Sequence, residues 1–193
     1  MFAVQVRPTL SVWLLAPTLI IWLIAEGVQR TLPPSLAFAV VDEIAHASVA
    51  LLCALALAPT WGFGPVLFAL AAATLIDADH ALAAGSLDPA QMMMLGARPA
   101  THSLCGAVLL ALLIGAATNY RDAYGTLLGA VTHIVRDAVA TPGVPLFAPF
   151  SSQAHVILPE WTLPAVMLTF GLGGVFLAHA GRSMAVLQKL RFS

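Results

Sequence analysis

Asp77 and His80, His133 and Asp137, and Asp42 and His46 form three acid–imidazole pairs, spaced i,i+3, i,i+4 and i,i+4. On a helix each pair shares one face. Imidazole nitrogen and carboxylate oxygen are the donors that zinc uses in catalytic sites, where one position stays open for water. Harder ions such as Mg²⁺ or Mn²⁺ take more of the carboxylates. A further imidazole, His102, stands in the stretch RPATHSL with Arg98 at its start. A guanidinium beside a bound metal suits phosphate or diphosphate oxygens, which it grips as a planar fork. The candidate metal ligands are therefore His46, Asp77, His80, His102, His133 and Asp137, with zinc the first choice of ion and Mg²⁺ or Mn²⁺ the alternatives. Asp79 or Glu43 is the candidate general base or water-orienting group, and Arg98 the candidate phosphate clamp.

These groups stand in a greasy chain. Of 193 residues 60% are apolar and only 9% charged, with a mean hydropathy of +0.93. Soluble domains carry about 25% charged residues, so the composition implies a polytopic membrane protein. A formal net charge of −1 argues against nucleic-acid binding and against a polybasic surface anchor. Cys53 and Cys105 sit inside apolar runs and read as small packing residues. The first apolar run, about 10–25, is long for a signal-peptide core and lacks a good small-residue cleavage site, so it reads as a retained helix.

Six segments approach the roughly 20 apolar residues of a spanning helix: about 9–27, 37–59, 63–79, 101–118, 123–140 and 162–180. Proline- and glycine-rich breaks separate them, including PTWGFGP and TPGVPLFAPFSS. The expected fold is a single all-α domain over 1–193, a bundle of about six transmembrane helices. Residues 91–95 read as a short interfacial helix within the longest loop. Arg7, Arg121, Arg182, Lys189 and Arg191 fall on the side of the termini, against Arg30 and Arg98 on the other, with Arg136 near it. The positive-inside rule then puts the termini in the cytoplasm. On that topology Asp42, Glu43 and His46, Asp77, Asp79 and His80, Arg98 and His102, and His133, Arg136 and Asp137 all reach the extracytoplasmic face. Ionisable groups at membrane depth are costly and mark function.

Each residue also has an ordinary reading. A lone intramembrane histidine commonly serves as an interhelical hydrogen-bond partner, Asp42 and Glu43 can orient ligating imidazoles, and Arg98 can snorkel to headgroups. His179 reads as structural, and His155 stays open. Gathering so many on one side at helical spacing favours a metal site.

The motifs LIDADH (75–80), RPATHSL (98–104) and THIVRDAVATPGVPLFAPF (132–150) resemble the YdjM-like family of inner-membrane proteins regarded as metal-dependent hydrolases. The resemblance covers about 43–159. Its most specific segment keeps a histidine, an aspartate, then Thr, Gly, Val, Leu and Pro in order. His46, Asp77, Asp79, His80, His102, His133 and Asp137 fall on the family's motif positions. The resemblance implies a distant kinship to zinc-dependent phospholipase C and its nuclease relatives, which cleave phosphate esters at His/Asp metal clusters. In one place the chain departs: the family's His-Arg-Gly is here Ala97-Arg98-Pro99, so one histidine is missing and His155 is the candidate replacement.

The expected function is a membrane-embedded, metal-dependent hydrolase acting on a phosphate- or diphosphate-containing lipid. A prenyl-diphosphate lyase or cyclase would need the same metal, acids and arginine without water. A metal or proton transporter, or a membrane binding protein, is the non-enzymatic rival. Transporters place ionisable sites near the midplane, whereas these groups collect at helix ends.

Overall fold

The computed structural model describes residues 8–55, 61–139, 143–166, 169 and 172. The described chain is all-helical: α1 (Pro8–Gln29), α2 (Leu36–Ala54), α3 (Gly64–Leu75), α4 (Ala78–Ala84), α5 (Pro89–Met93), α6 (Leu104–Ala117) and α7 (Tyr120–Asp137), then a 3₁₀ turn at Glu160–Thr162. Among the described residues there is no strand, only an antiparallel bridge between Val144 and His155.

The helices begin where side chains can satisfy their free amides. The Ser35 hydroxyl accepts from Phe38 N–H at 3.3 Å to open α2. Asp88 caps α5 through Ala90 N–H at 3.0 Å, and Asn119 caps α7 through the amides of Arg121 and Asp122. Each supplies an acceptor to a donor with no helical partner. Two boundaries differ from the sequence expectation, and both matter for the site. The expected helix 101–118 starts only at Leu104, because the Ser103 hydroxyl takes Gly106 N–H at 3.0 Å. Pro99 and His102 therefore lie in turns ahead of the helix, with His102 N–H donating to the Pro99 carbonyl at 3.0 Å. The expected helix 63–79 is broken after Leu75: Asp79 N–H and His80 N–H reach back three residues to Ile76 and Asp77, and a second short helix carries the chain to Ala84.

Helix α7 runs through the middle, packed on α2, α3 and α6. Its approach to α3 depends on two small residues one turn apart. A Cβ at Gly125 would lie 2.1 Å from the Pro65 carbonyl oxygen, and one at Gly129 would lie 2.0 Å from that of Ala69. Glycines four apart let helix backbones touch, a device of membrane helix pairs. This close fit brings the α3 carbonyl of Ala73 to the ring of His133.

The surface is inverted relative to a soluble protein. On α6 the small Ala107 and Ala111 face inward, while Leu109, Leu112 and Leu113 stand exposed. Ile20, Leu23, Ile24, Leu36, Val40 and Leu67 are exposed likewise. Broad apolar exposure of this extent needs a membrane or a partner to cover it. Among the described residues two helices are long and apolar enough to cross a bilayer, Leu36–Ala54 and the bent Gly64–Ala84, and Leu104–Ala117 is a shorter apolar helix. Among the described residues helices thus occur at five of the six expected segments, and two of these helices have the length and apolarity of a span. The sixth segment, 162–180, lies mostly outside the described residues, which include a helical stretch at 163–166.

Candidate metal centre

Three elements converge on one point beneath α2. Asp77 is the N-cap of α4, His102 sits in the turn before α6, and His133 and Asp137 occupy the last turns of α7. One donor atom from each of these four side chains lies within 4.8 Å of the others. The Nε2 atoms of His133 and His102 are 3.2 Å apart. Asp77 Oδ1 is 2.9 Å from His102 Nε2 and 3.3 Å from His133 Nε2. Asp137 Oδ2 lies 3.1 Å from His133 Nε2 and 3.7 Å from His102 Nε2.

The outer contacts of both rings suit ligation. His133 is fully buried, and its Nδ1 lies 2.7 Å from the Ala73 carbonyl oxygen. A carbonyl only accepts, so Nδ1 carries a proton, and Nε2 is the ring atom turned inward toward Asp77, His102 and Asp137. His102 is also fully buried, with Nδ1 3.3 Å from Asp79 Oδ2; the Thr101 hydroxyl donates to the same Asp79 oxygen. Asp79 thus lies behind the His102 ring, on the side away from the other donors, where carboxylates commonly stand at metal-binding histidines.

A second set overlaps the first: Asp77, Asp79, His80 and His102. His80 Nδ1 is 3.0 Å from Asp79 Oδ1 and 3.3 Å from Asp77 Oδ1. Despite these short distances, Asp79 Oδ1, His80 Nδ1, His102 Nδ1, Asp137 Oδ2 and Glu43 Oε2 are buried without an aligned hydrogen bond. Unsatisfied buried polar atoms cost about 1–3 kcal/mol each. Close but misaligned donor atoms fit a shared cation better than they fit each other. Formal charge agrees: Glu26, Asp42, Glu43, Asp77, Asp79 and Asp137 surround the site, against Arg30, Arg98 and Arg136, six acids to three bases. Nitrogen and carboxylate donors of this kind suit zinc, and the surplus of carboxylate admits Mg²⁺ or Mn²⁺.

Arg98 reaches this cluster directly, with Nη1 2.7 Å from Asp137 Oδ2 and its side chain 20% exposed. Glu43 lies against Asp77. Both line a cavity of about 1190 Å³, as do Asp77 and Asp137. Leu36, Phe38, Leu75, Met92, Met93 and Leu163 form apolar wall.

His46 belongs to a third donor set, with Asp42 and Asp77, and makes further contacts of its own. Its ring stacks on His133 with centroids 3.7 Å apart and planes at 14°. Its Nε2 is 2.8 Å from Arg136 Nη1, a group that only donates, so this nitrogen serves as an acceptor for arginine. Arg136 Nε also pairs with Glu26 Oε1 at 2.8 Å, Nη1 with Asp42 Oδ1 at 2.6 Å, and Nη2 with Gln29 Oε1 at 2.7 Å. Glu26 and Gln29 bring α1 to the site, though neither is among the residues that motif and spacing single out. Two polar residues three apart at the end of an otherwise apolar helix were the available signal. His155 does not fill the place of the missing histidine: it bridges Val144 and packs on Phe147 at 5.3 Å, and it belongs to none of the donor sets. His179 lies outside the described residues. Cys53 is buried as expected for packing, whereas Cys105 is exposed on α6.

A helical chain with spanning-length apolar helices and a buried His/Asp cluster beside a cavity defines a membrane protein with a candidate metal centre. The chain belongs to the YdjM inner membrane protein family, whose model matches residues 41–191. That match begins within α2, leaves α1 outside, and runs past the motif region through the last apolar segment. No curated protein and no solved structure matches the chain.

Proposed function

We propose that this protein is a membrane-embedded, metal-dependent hydrolase that acts on a phosphate- or diphosphate-containing lipid. The observation that carries the reading is the meeting of two buried imidazole Nε2 atoms with two carboxylates and the Arg98 guanidinium, the last three in residues that line a large cavity of mixed polar and apolar wall. Asp77, His102, His133 and Asp137 would hold the ion, and Asp79 would orient His102. When bound, a divalent metal supplies Lewis acidity toward a phosphoryl oxygen and makes water easier to deprotonate. Arg98 grips the remaining phosphate oxygens. Glu43 faces the cavity beside Asp77 and accepts the proton of the attacking water. The apolar wall takes the lipid tail; the cavity exceeds the roughly 300–1000 Å³ typical of small-molecule pockets.

The same reading includes six spans, cytoplasmic termini and a site on the extracytoplasmic side. It draws support from the arginine and lysine distribution and from the four elements that bring their polar groups to one place. A single cysteine placed at Leu87, in the highly exposed turn between α4 and α5, should react with a membrane-impermeant maleimide in intact cells. Labelling only after the cells are opened would reverse the orientation.

The activity itself is tested by incubating purified, zinc-loaded protein with phospholipids and prenyl diphosphates. Release of phosphate or diphosphate with the matching alcohol is expected. Rearranged hydrocarbon without an alcohol would assign lyase or cyclase chemistry, and no turnover together with metal flux in proteoliposomes would make it a transporter.

A further inference from the structure

We infer that Arg136 is the positioning residue of the metal centre, and that α1, which lies ahead of the family-matched region, completes the site by holding it. This rests on the proposed metal site, though not on any substrate. Arg136 is buried, and each of its three guanidinium nitrogens is engaged within 2.6–2.8 Å by Glu26 and Gln29 of α1 or by Asp42 and His46 of α2. Gln29 Nε2 donates in turn to Asp42 Oδ1 at 2.7 Å, and Trp22 Nε1 to Glu26 Oε1 at 3.1 Å. A guanidinium so surrounded has one available orientation, and the planar fork defines it.

Two consequences reach the ion's place. Donation from Nη1 makes His46 Nε2 an acceptor, which fixes the tautomer and the orientation of the His46 ring. The fixed ring then backs His133 across a 3.7 Å stack, while the Ala73 carbonyl holds the other side of His133 in register. Arg136 also immediately precedes Asp137, so anchoring it to α1 and α2 fixes the last turn of α7 from which Asp137 projects. Partners of this outer kind change metal affinity by about 10- to 100-fold when removed.

The test uses full-length protein in detergent, with zinc affinity read by competition against a chromophoric chelator and the visible spectrum of the cobalt-substituted form as a reporter of geometry. Glu26→Gln should weaken zinc binding about tenfold and alter the cobalt spectrum, and Arg136→Gln should weaken it further. The double variant should be no weaker than Arg136→Gln alone, because Glu26 acts through Arg136. Leu19→Ala, which loosens the apolar packing of α1 on α2 without touching these hydrogen bonds, should lower the melting temperature and leave zinc affinity unchanged. Wild-type affinity in Glu26→Gln would overturn the inference, as would an equal loss in Leu19→Ala, which would reduce α1 to packing. Should Arg136→Gln fail to fold, Glu26→Gln and Leu19→Ala decide the matter between them. A wild-type protein that binds no zinc overturns the metal site itself and the inference with it.

Discussion

His133→Ala and Asp137→Ala should each strip the protein of most of its metal and abolish phosphate release, while the protein still inserts in the membrane. Each substitution removes one of four donors that meet within 4.8 Å. The loss should exceed the about 10- to 100-fold that follows removal of a merely supporting partner. His133→Ala also frees the Ala73 carbonyl and one face of the His46 stack, so some loss of stability accompanies the loss of metal. Asp137→Ala leaves Arg98 Nη1 without its 2.7 Å partner and is the sharper test of ligation. Elemental analysis of the purified variants gives the answer. Unchanged metal content in both would remove these residues from the ligand set and return the cluster to an interhelical hydrogen-bond network.

Arg98→Lys should keep the metal and lose roughly 10- to 1000-fold in rate on a phosphate-bearing lipid. Charge-assisted hydrogen bonds contribute roughly 1.5–3 kcal/mol, each 1.4 kcal/mol is tenfold in rate, and such contacts strengthen where water is scarce. Lysine keeps the charge but not the planar fork that spans two oxygens. Arg98 lines the cavity with its side chain still partly exposed, as a group meeting an incoming substrate must. Kinetics and metal content measured on one preparation separate the roles. A wild-type rate would mean that Arg98 only reaches toward the headgroups and would favour a substrate without phosphate. Loss of metal would mean that its main task is to hold Asp137.

The donor types and their spacing were legible in the chain. His133 and Asp137 share a face of α7 because four residues make about one helical turn, and that holds whatever α7 packs against. Asp77 and His80, three apart, reach the same donor set although the helix that was to carry both breaks between Leu75 and Ala78. The membrane character followed from composition, since a charged fraction this low cannot cover a water-facing surface. The family motifs marked which of the scattered polar groups belong together.

Tertiary structure alone decided how each group is used. His46 lies on a family motif position, yet its Nε2 faces Arg136 and its ring face lies on His133, because α1 and α2 close over that end of α7. Spacing along one helix carries no information about a partner 110 residues away in sequence, the separation between Glu26 and Arg136. Asp79 lies 3.3 Å from His102 Nδ1 because the turn at 98–103 brings that ring across the start of α4; the turn exists because Ser103 opens α6. His155 was a fair substitute on sequence alone, but its backbone is bridged to Val144 and its ring is held against Phe147. Local sequence sets which side chains share a helix face. Which of those faces meet, and which nitrogen of an imidazole is left free when they do, depends on long-range packing such as the Gly125 and Gly129 contact with α3, and only the folded chain determines that.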